Sequence, residues 1–357
     1  MPARQQVDNI ANRMTGIARA TAAGIIGIGL VAVALVAPSR GQANDGMTAL
    51  AAGEAQNTKT SVRLLSVIEG LAQVQQRNGA LDEAEALRRR GLDIAASAFG
   101  CDSLRAAEAM AALALTDIDR RRYLDAEPLL IVAARVLATR GADYPARATI
   151  FAGLARIALA RGDNEPAKAW ATRALTIARR DRHGGFAESL RTFGAVLTAE
   201  GRFAEAARVL AEALAQDRRA HGAGAVDTAR SLSQLANLYF RQGKAGDALP
   251  LLEEATAIDQ SRLGSTHPFI ADDLHDLGLV YDALHRGDAA RRTFSAAIRV
   301  LERGAGRETP RVAYAELELS RLYRQAGKTA AADAAFRDAR RILNKAKAEE
   351  RKRERQV

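Results

Sequence analysis

A spacing of about 42 residues constrains this chain more than any other feature. Ala84, Ala126, Ala167, Ala206, Ala248, Ala290 and Ala332 follow one another at intervals of 42, 41, 39, 42, 42 and 42 residues. Seven positions after each stands another small residue: Gly91, Ala133, Ala174, Ala213, Ala255, Ala297 and Ala339. A separation of seven returns to the same helix face, so each pair marks one helix. Twelve positions before each alanine come Ala72, Ala114, Ala155, Gly194, Ala236, Gly278 and Ser320, each preceded by Leu or Phe. These belong to a second helix. Two helices approach closely only where small side chains stand at the crossing and larger ones fill the seam beside it. A period of this length is the signature of a stacked helical array, in which each repeat buries its faces against its neighbours.

Between the two helices of a repeat the chain must reverse within a few residues, and Gly79, Gly162, Gly201, Gly243 and Gly327 stand there in five repeats. Glycine takes positive φ without steric cost. Arg121 and His285 occupy the position in the other two, and the turns there are expected to be looser. Pro128 and Pro250 cost about 3 kcal/mol inside an ideal helix, which predicts a late helix start or a kink at both. Thr309-Pro310 reads as an N-cap followed by a first-turn proline.

These residues resemble the tetratricopeptide repeat, in the longer version of about 42 residues found in kinesin light chains. Leu235-Ala236-Asn237-Leu238-Tyr239 through Gly243-Lys244 is similar to the family's first helix and turn. Asp125-Ala126-Glu127-Pro128-Leu129-Leu130 is similar to the start of its second helix, and His267-Pro268 after Leu263-Gly264 to its inter-repeat loop. The first three repeats depart from the pattern, with Gln75, Asp117 and Ala158 where later ones have Tyr239, Tyr281 and Tyr323. The expectation is an all-α, right-handed superhelical solenoid of about seven tetratricopeptide-like helix pairs over residues 62–343. A linker precedes it at 44–61 and a basic C-terminal tail follows at 344–357.

The resemblance implies a surface that binds another protein or a peptide. With Leu235, Ala236 and Tyr239 turned to the core, Arg230, Ser233, Asn237 and Arg241 share another stripe by their spacings of three and four. The same offsets elsewhere add Glu69, Arg156, Glu188, Arg191, Asp272, His275, Arg321 and Arg324. Arg191, Arg230, Asn237, Arg241, Arg321 and Arg324 are the candidate groove residues, and guanidinium forks suit an acidic peptide or a free C-terminus. Asn237 matches an Asn with which some family members hold a partner's terminal carboxylate, but Ser233 stands where the matching Lys would be, so that clamp is not carried over.

The formal charge of +10 lies mainly at the ends: residues 1–43 contribute +3 and residues 340–357 contribute +5, leaving +2 for the middle. A basic stripe interleaved with aromatics, as a nucleic-acid reader needs, is missing, and aromatics make up only 4%. Nucleic acid is therefore disfavoured as a partner. Catalysis is disfavoured too. The five histidines are scattered, there is no HExxH, GxSxG or phosphate-binding loop, and Asp272, Asp273, His275 and Asp276 point in different directions around one helix. Cys101, the single cysteine, has no partner for a disulfide. No cofactor and no small-molecule substrate is expected.

Residues 20–37 (ATAAGIIGIGLVAVALVA) are uncharged, follow Arg4, Arg13 and Arg19, and precede Gly41-Gln42-Ala43. This is the form of a bacterial export signal, with cleavage after Ala43 favoured over retention as a membrane anchor. Either outcome places the repeats outside the cytoplasm, in the periplasm, with membrane contact through residues 20–37 if they are retained. A scaffold that presents a concave groove to a partner is the leading reading, and a self-associating structural protein of the cell envelope is the alternative.

Overall fold

The computed structural model describes residues 58–354 apart from 79, 140–145 and 182–184. The sequence reading of residues 1–43 and most of the linker falls outside the described residues. Fourteen α-helices and no strands are present among the described residues, and they form two compact units that meet in sequence at Gly185. The first contains α1 (Thr58–Arg77), α2 (Leu81–Phe99), α3 (Leu104–Asp119), α4 (Tyr123–Thr139), α5 (Ala146–Arg161) and α6 (Asn164–Asp181). The second contains α7 (Phe186–Ala199), α8 (Phe203–His221), α9 (Val226–Arg241), α10 (Ala245–Leu263), α11 (Pro268–Ala283), α12 (Gly287–Ala305), α13 (Pro310–Gln325) and α14 (Thr329–Glu354). Consecutive helices pair as hairpins, and within each unit the second helix of a pair also packs on the first helix of the next. This is an all-α solenoid of seven helix pairs. The repeat runs from Thr58, and α14 continues through the basic segment to Glu354.

The small residues do what their spacing predicts. Ala84, Ala126, Ala167, Ala206, Ala248, Ala290 and Ala332 are all fully buried, as are their partners seven positions on. At Gly194 a Cβ would stand 2.5 Å from Leu210 Cδ2, and at Gly278 one would stand 2.7 Å from the Phe294 ring. Leu210 and Phe294 are themselves fully buried. Neither can withdraw, so these two crossings need glycine rather than merely a small residue.

All six described turns within hairpins are alike. In the α9–α10 turn Gly243 (φ 74°) donates to Phe240 and Lys244 to Tyr239, both at 2.9 Å. Arg121 (φ 59°) donates to Ile118 at 2.9 Å and Arg122 to Asp117 at 2.7 Å; His285 (φ 57°) donates to Asp282 and Arg286 to Tyr281, both at 2.8 Å. The expectation of looser turns at Arg121 and His285 is therefore corrected. Two hydrogen bonds close the reversal and hold a non-glycine residue left-handed, at a steric cost of about 1–2 kcal/mol.

Two further expectations are met in part. Pro128 and Pro250 both lie within helices that begin five residues earlier, so of the late start or kink expected at each, the late start does not occur. Each removes one donor to the carbonyl four residues back, at Leu124 and Gly246, and both of those residues are exposed and open to water. Thr309 is the N-cap of α13 with Pro310 in the first turn, but its hydroxyl makes no capping bond. Side-chain caps occur instead at Ser103, which accepts from the Ala106 amide, and at His267, whose ring nitrogen accepts from the Phe269 amide.

Candidate functional site

The first helix of each pair carries the residues that share the candidate stripe, and polar contacts cross that face in both units. Asp119 on α3 accepts from Gln76 on α1 at 2.8 Å and from Arg156 on α5 at 3.0 Å, bridging three successive first helices. Glu69 on α1 pairs with Arg88 on α2 at 2.9 Å. Arg88 stands four residues after Ala84, where other pairs place the buried Leu130, Leu210, Leu252 and Phe294. It is tolerated there because Glu69, Gln76 and Thr116 all accept from it. Glu85, also buried, gathers Arg89 and Arg122 at 2.6 Å and Arg120 closer still. Beside it Asp117 is buried, its Oδ1 without a hydrogen bond but 3.7 Å from Arg122, and burial pushes its carboxyl up to about 6 despite that guanidinium.

In the second unit the six candidate residues have different fates. Arg191 on α7 is only 11% exposed and gives its guanidinium to Asp217 on α8, with Asp227 at 3.7 Å. Arg230 on α9 lies over the Phe269 ring, 4.8 Å from its centre. Asn237 and Arg241 are exposed, and neither makes a hydrogen bond or ion pair within the described residues. Arg321 on α13 spans to Asp282 on α11 at 2.7 Å and to Glu318 at 2.9 Å. Arg324 is 65% exposed, with Asp333 at 3.6 Å.

Arg321 and Arg324 line a cavity of about 380 Å³ with Leu317, Ser320, Gln325 and Phe336. Phe336 on α14 is the counterpart of Phe294, whose ring fits beneath Gly278; here Ser320 takes the place of that glycine. The Ser320 hydroxyl is bound to the Ala332 carbonyl at 2.8 Å. Phe336 is 44% exposed, on the last described helix, and beside it lies an open apolar slot rimmed by two arginines. Sequence spacing found the arginines but not the slot.

No group of side chains among the described residues could hold a metal ion. Asp272, Asp273 and His275 are drawn into separate contacts: Asp272 pairs with Arg311, Asp273 faces the core, and the His275 ring packs edge-on to Phe294. Likewise no described helix is long and apolar enough to cross a membrane.

The tetratricopeptide repeat family model matches residues 185–261 and again 235–303, which spans α7 to α12. Residues 185–303 carry tetratricopeptide repeats. Solved structures with tetratricopeptide-like repeats are similar to it in fold. One, from a Podospora anserina kinesin light chain-related protein with nearly identical repeats, is 22% identical over 57% of this chain and 99% of its own, with a TM-score of 0.46. BtubC (BKLC) from P. vanneervenii is 20% identical over 68% of this chain and 92% of its own, with a TM-score of 0.48. A Rap protein in complex with Competence and Sporulation Factor is 12% identical over 79% of this chain and 98% of its own, with a TM-score of 0.53. No curated protein matches the sequence. At these identities the tetratricopeptide likeness is one of fold.

Proposed function

We propose that this tetratricopeptide-repeat chain is a non-catalytic binding scaffold that captures a segment of a partner protein on the first-helix face of its second unit. The observation that carries the reading is the slot at Leu317, Ser320 and Phe336 with Arg321 and Arg324 at its rim. An apolar floor beside guanidinium groups suits a peptide that offers one large apolar side chain next to carboxylates. Asn237 and Arg241 extend the polar face along the same unit. The Rap protein of similar fold, solved with Competence and Sporulation Factor bound, supports capture of a ligand by this kind of array.

Fluorescence anisotropy with a panel of labelled peptides, each with one Phe or Leu flanked by Asp and Glu, tests the reading. Binding by the full chain is expected to weaken at least tenfold in Phe336→Ser and in the double variant Arg321→Glu/Arg324→Glu, with helicity unchanged by circular dichroism. Equal binding by the variants would move recognition away from the slot. A molecular mass that rises with concentration, and falls back in Phe336→Ser, would favour the self-associating alternative instead.

Export through residues 20–37 belongs to the same proposal. Fractionation of cells producing the chain with and without those residues checks it, and retention of both forms in the cytoplasm would end it.

A further inference from the structure

One repeat boundary in the second unit buries acid against acid. Asp259 on α10 and Asp273 on α11 are 3% and 6% exposed. Each carboxyl bears electrostatically on the other. Two carboxylates buried side by side repel when both are ionised, which favours a proton held on the pair. Asp259 Oδ1 and Asp273 Oδ2 have no hydrogen-bond partner, and Ser233 donates weakly to the remaining Asp273 oxygen at 3.3 Å.

The boundaries on either side act as internal controls, because the positions correspond at steps of 42 residues. One boundary earlier, between α8 and α9, the matching pair is Asp217 and Ser231. That carboxylate accepts from Ser231 at 2.6 Å and from Arg191. The residue that corresponds to Arg191 beside the acid pair is Ser233, which carries no charge. One boundary later, between α12 and α13, the pair is Leu301 and Ala315, both buried. The three successive boundaries are therefore held by a neutralised carboxylate, by two carboxyls, and by hydrocarbon.

The charged groups around the acid pair do not neutralise it. On α9, Asp227 opposes ionisation of Asp259, while Arg230 favours it from its place over the Phe269 ring without hydrogen-bonding to it. On α11, Asp272 and Asp276 add negative charge, and Asp272 is itself paired with Arg311 of α13. His275 turns its ring to Phe294, the residue that α12 presents here.

We propose that the α10–α11 boundary is closed by the proton shared between Asp259 and Asp273, and that it loosens when this proton leaves, making this boundary a pH-sensitive joint. Burial pushes Asp273 up to about 8, with Asp259 adding to the effect, and Asp259 itself up to about 6. The direction follows. A carboxyl raised in the folded state lends stability that is whole below about pH 4 and is lost as pH rises through the raised value. Closure should weaken across pH 4 to 8 and level off above that.

Native-state hydrogen exchange on the full chain, corrected for intrinsic rates, tests this. Between pH 6 and 8 the opening constant of α10–α11 segments should rise about tenfold per pH unit relative to α12–α13 segments. Asp273→Asn supplies a permanent donor to Asp259 and should flatten the dependence. Asp259→Leu/Asp273→Ala, which copies the next boundary, should flatten it as well. The proposal is overturned if α10–α11 in the unmodified chain responds to pH no more than α12–α13, a comparison that needs no variant. It is overturned equally if Asp273→Asn keeps the full dependence.

Discussion

The two units use one helix-pair design but fill one core position differently. In α1–α6 Arg88 replaces a core leucine, and Arg120 and Arg122 converge on buried Glu85. In α7–α14 the packing between paired helices is hydrocarbon, with Leu210, Leu252 and Phe294 under the crossings, and Arg241 and Arg324 are left at the surface. A buried guanidinium must have its donors satisfied, and Glu69, Gln76 and Thr116 tie Arg88 down. Where leucine or phenylalanine fills that position no such ties are needed, although Arg321–Asp282 and Arg311–Asp272 still link first helices in the second unit.

The sharpest way to break this contrast is to truncate an arginine in each unit. Arg88→Ala should cost about 2–4 kcal/mol, because Glu69, Gln76 and Thr116 lose a shared donor. Arg324→Ala should change stability by less than about 0.5 kcal/mol. Urea unfolding measures both, and equal costs would erase the distinction. A glycine pair comes next. Gly278→Ala meets the Phe294 ring and should lose a net of about 1–2 kcal/mol, whereas Gly70→Ala on α1 meets nothing within 4 Å and should gain about 1 kcal/mol from helix propensity. The smallest effect should be alike in both units. Arg121→Gly and His285→Gly relieve the same left-handed strain and should each raise stability by up to about 1 kcal/mol in thermal unfolding. A loss at either turn would mean that its side chain holds the reversal.

Much of the fold was legible because small residues at fixed intervals leave few alternatives. The seven alanines and their partners seven residues on are buried, as are the preceding Leu113, Leu154, Leu235, Leu277 and Leu319, while Leu71 and Phe193 are half-buried. The turns at Arg121 and His285 were misjudged because local propensity was weighed without the two backbone bonds that override it. The candidate surface was less legible. Helical spacing put Arg191 and Arg241 on one stripe, but it could not show that Asp217 lies within reach of the first and that the second has no such acid. That difference depends on where a neighbouring helix places its carboxylate. Likewise the acid pair at Asp259 and Asp273 lies 14 residues apart in sequence and becomes a pair only when two repeats stack.

Gly278 and Ser320 hold corresponding crossings one repeat apart. At the glycine the Phe294 ring is fully buried, and at the serine Phe336 is 44% exposed. Because each repeat packs only on its neighbours, a crossing can change its residue and leave distant repeats undisturbed. A stacked array can therefore vary its surface one repeat at a time.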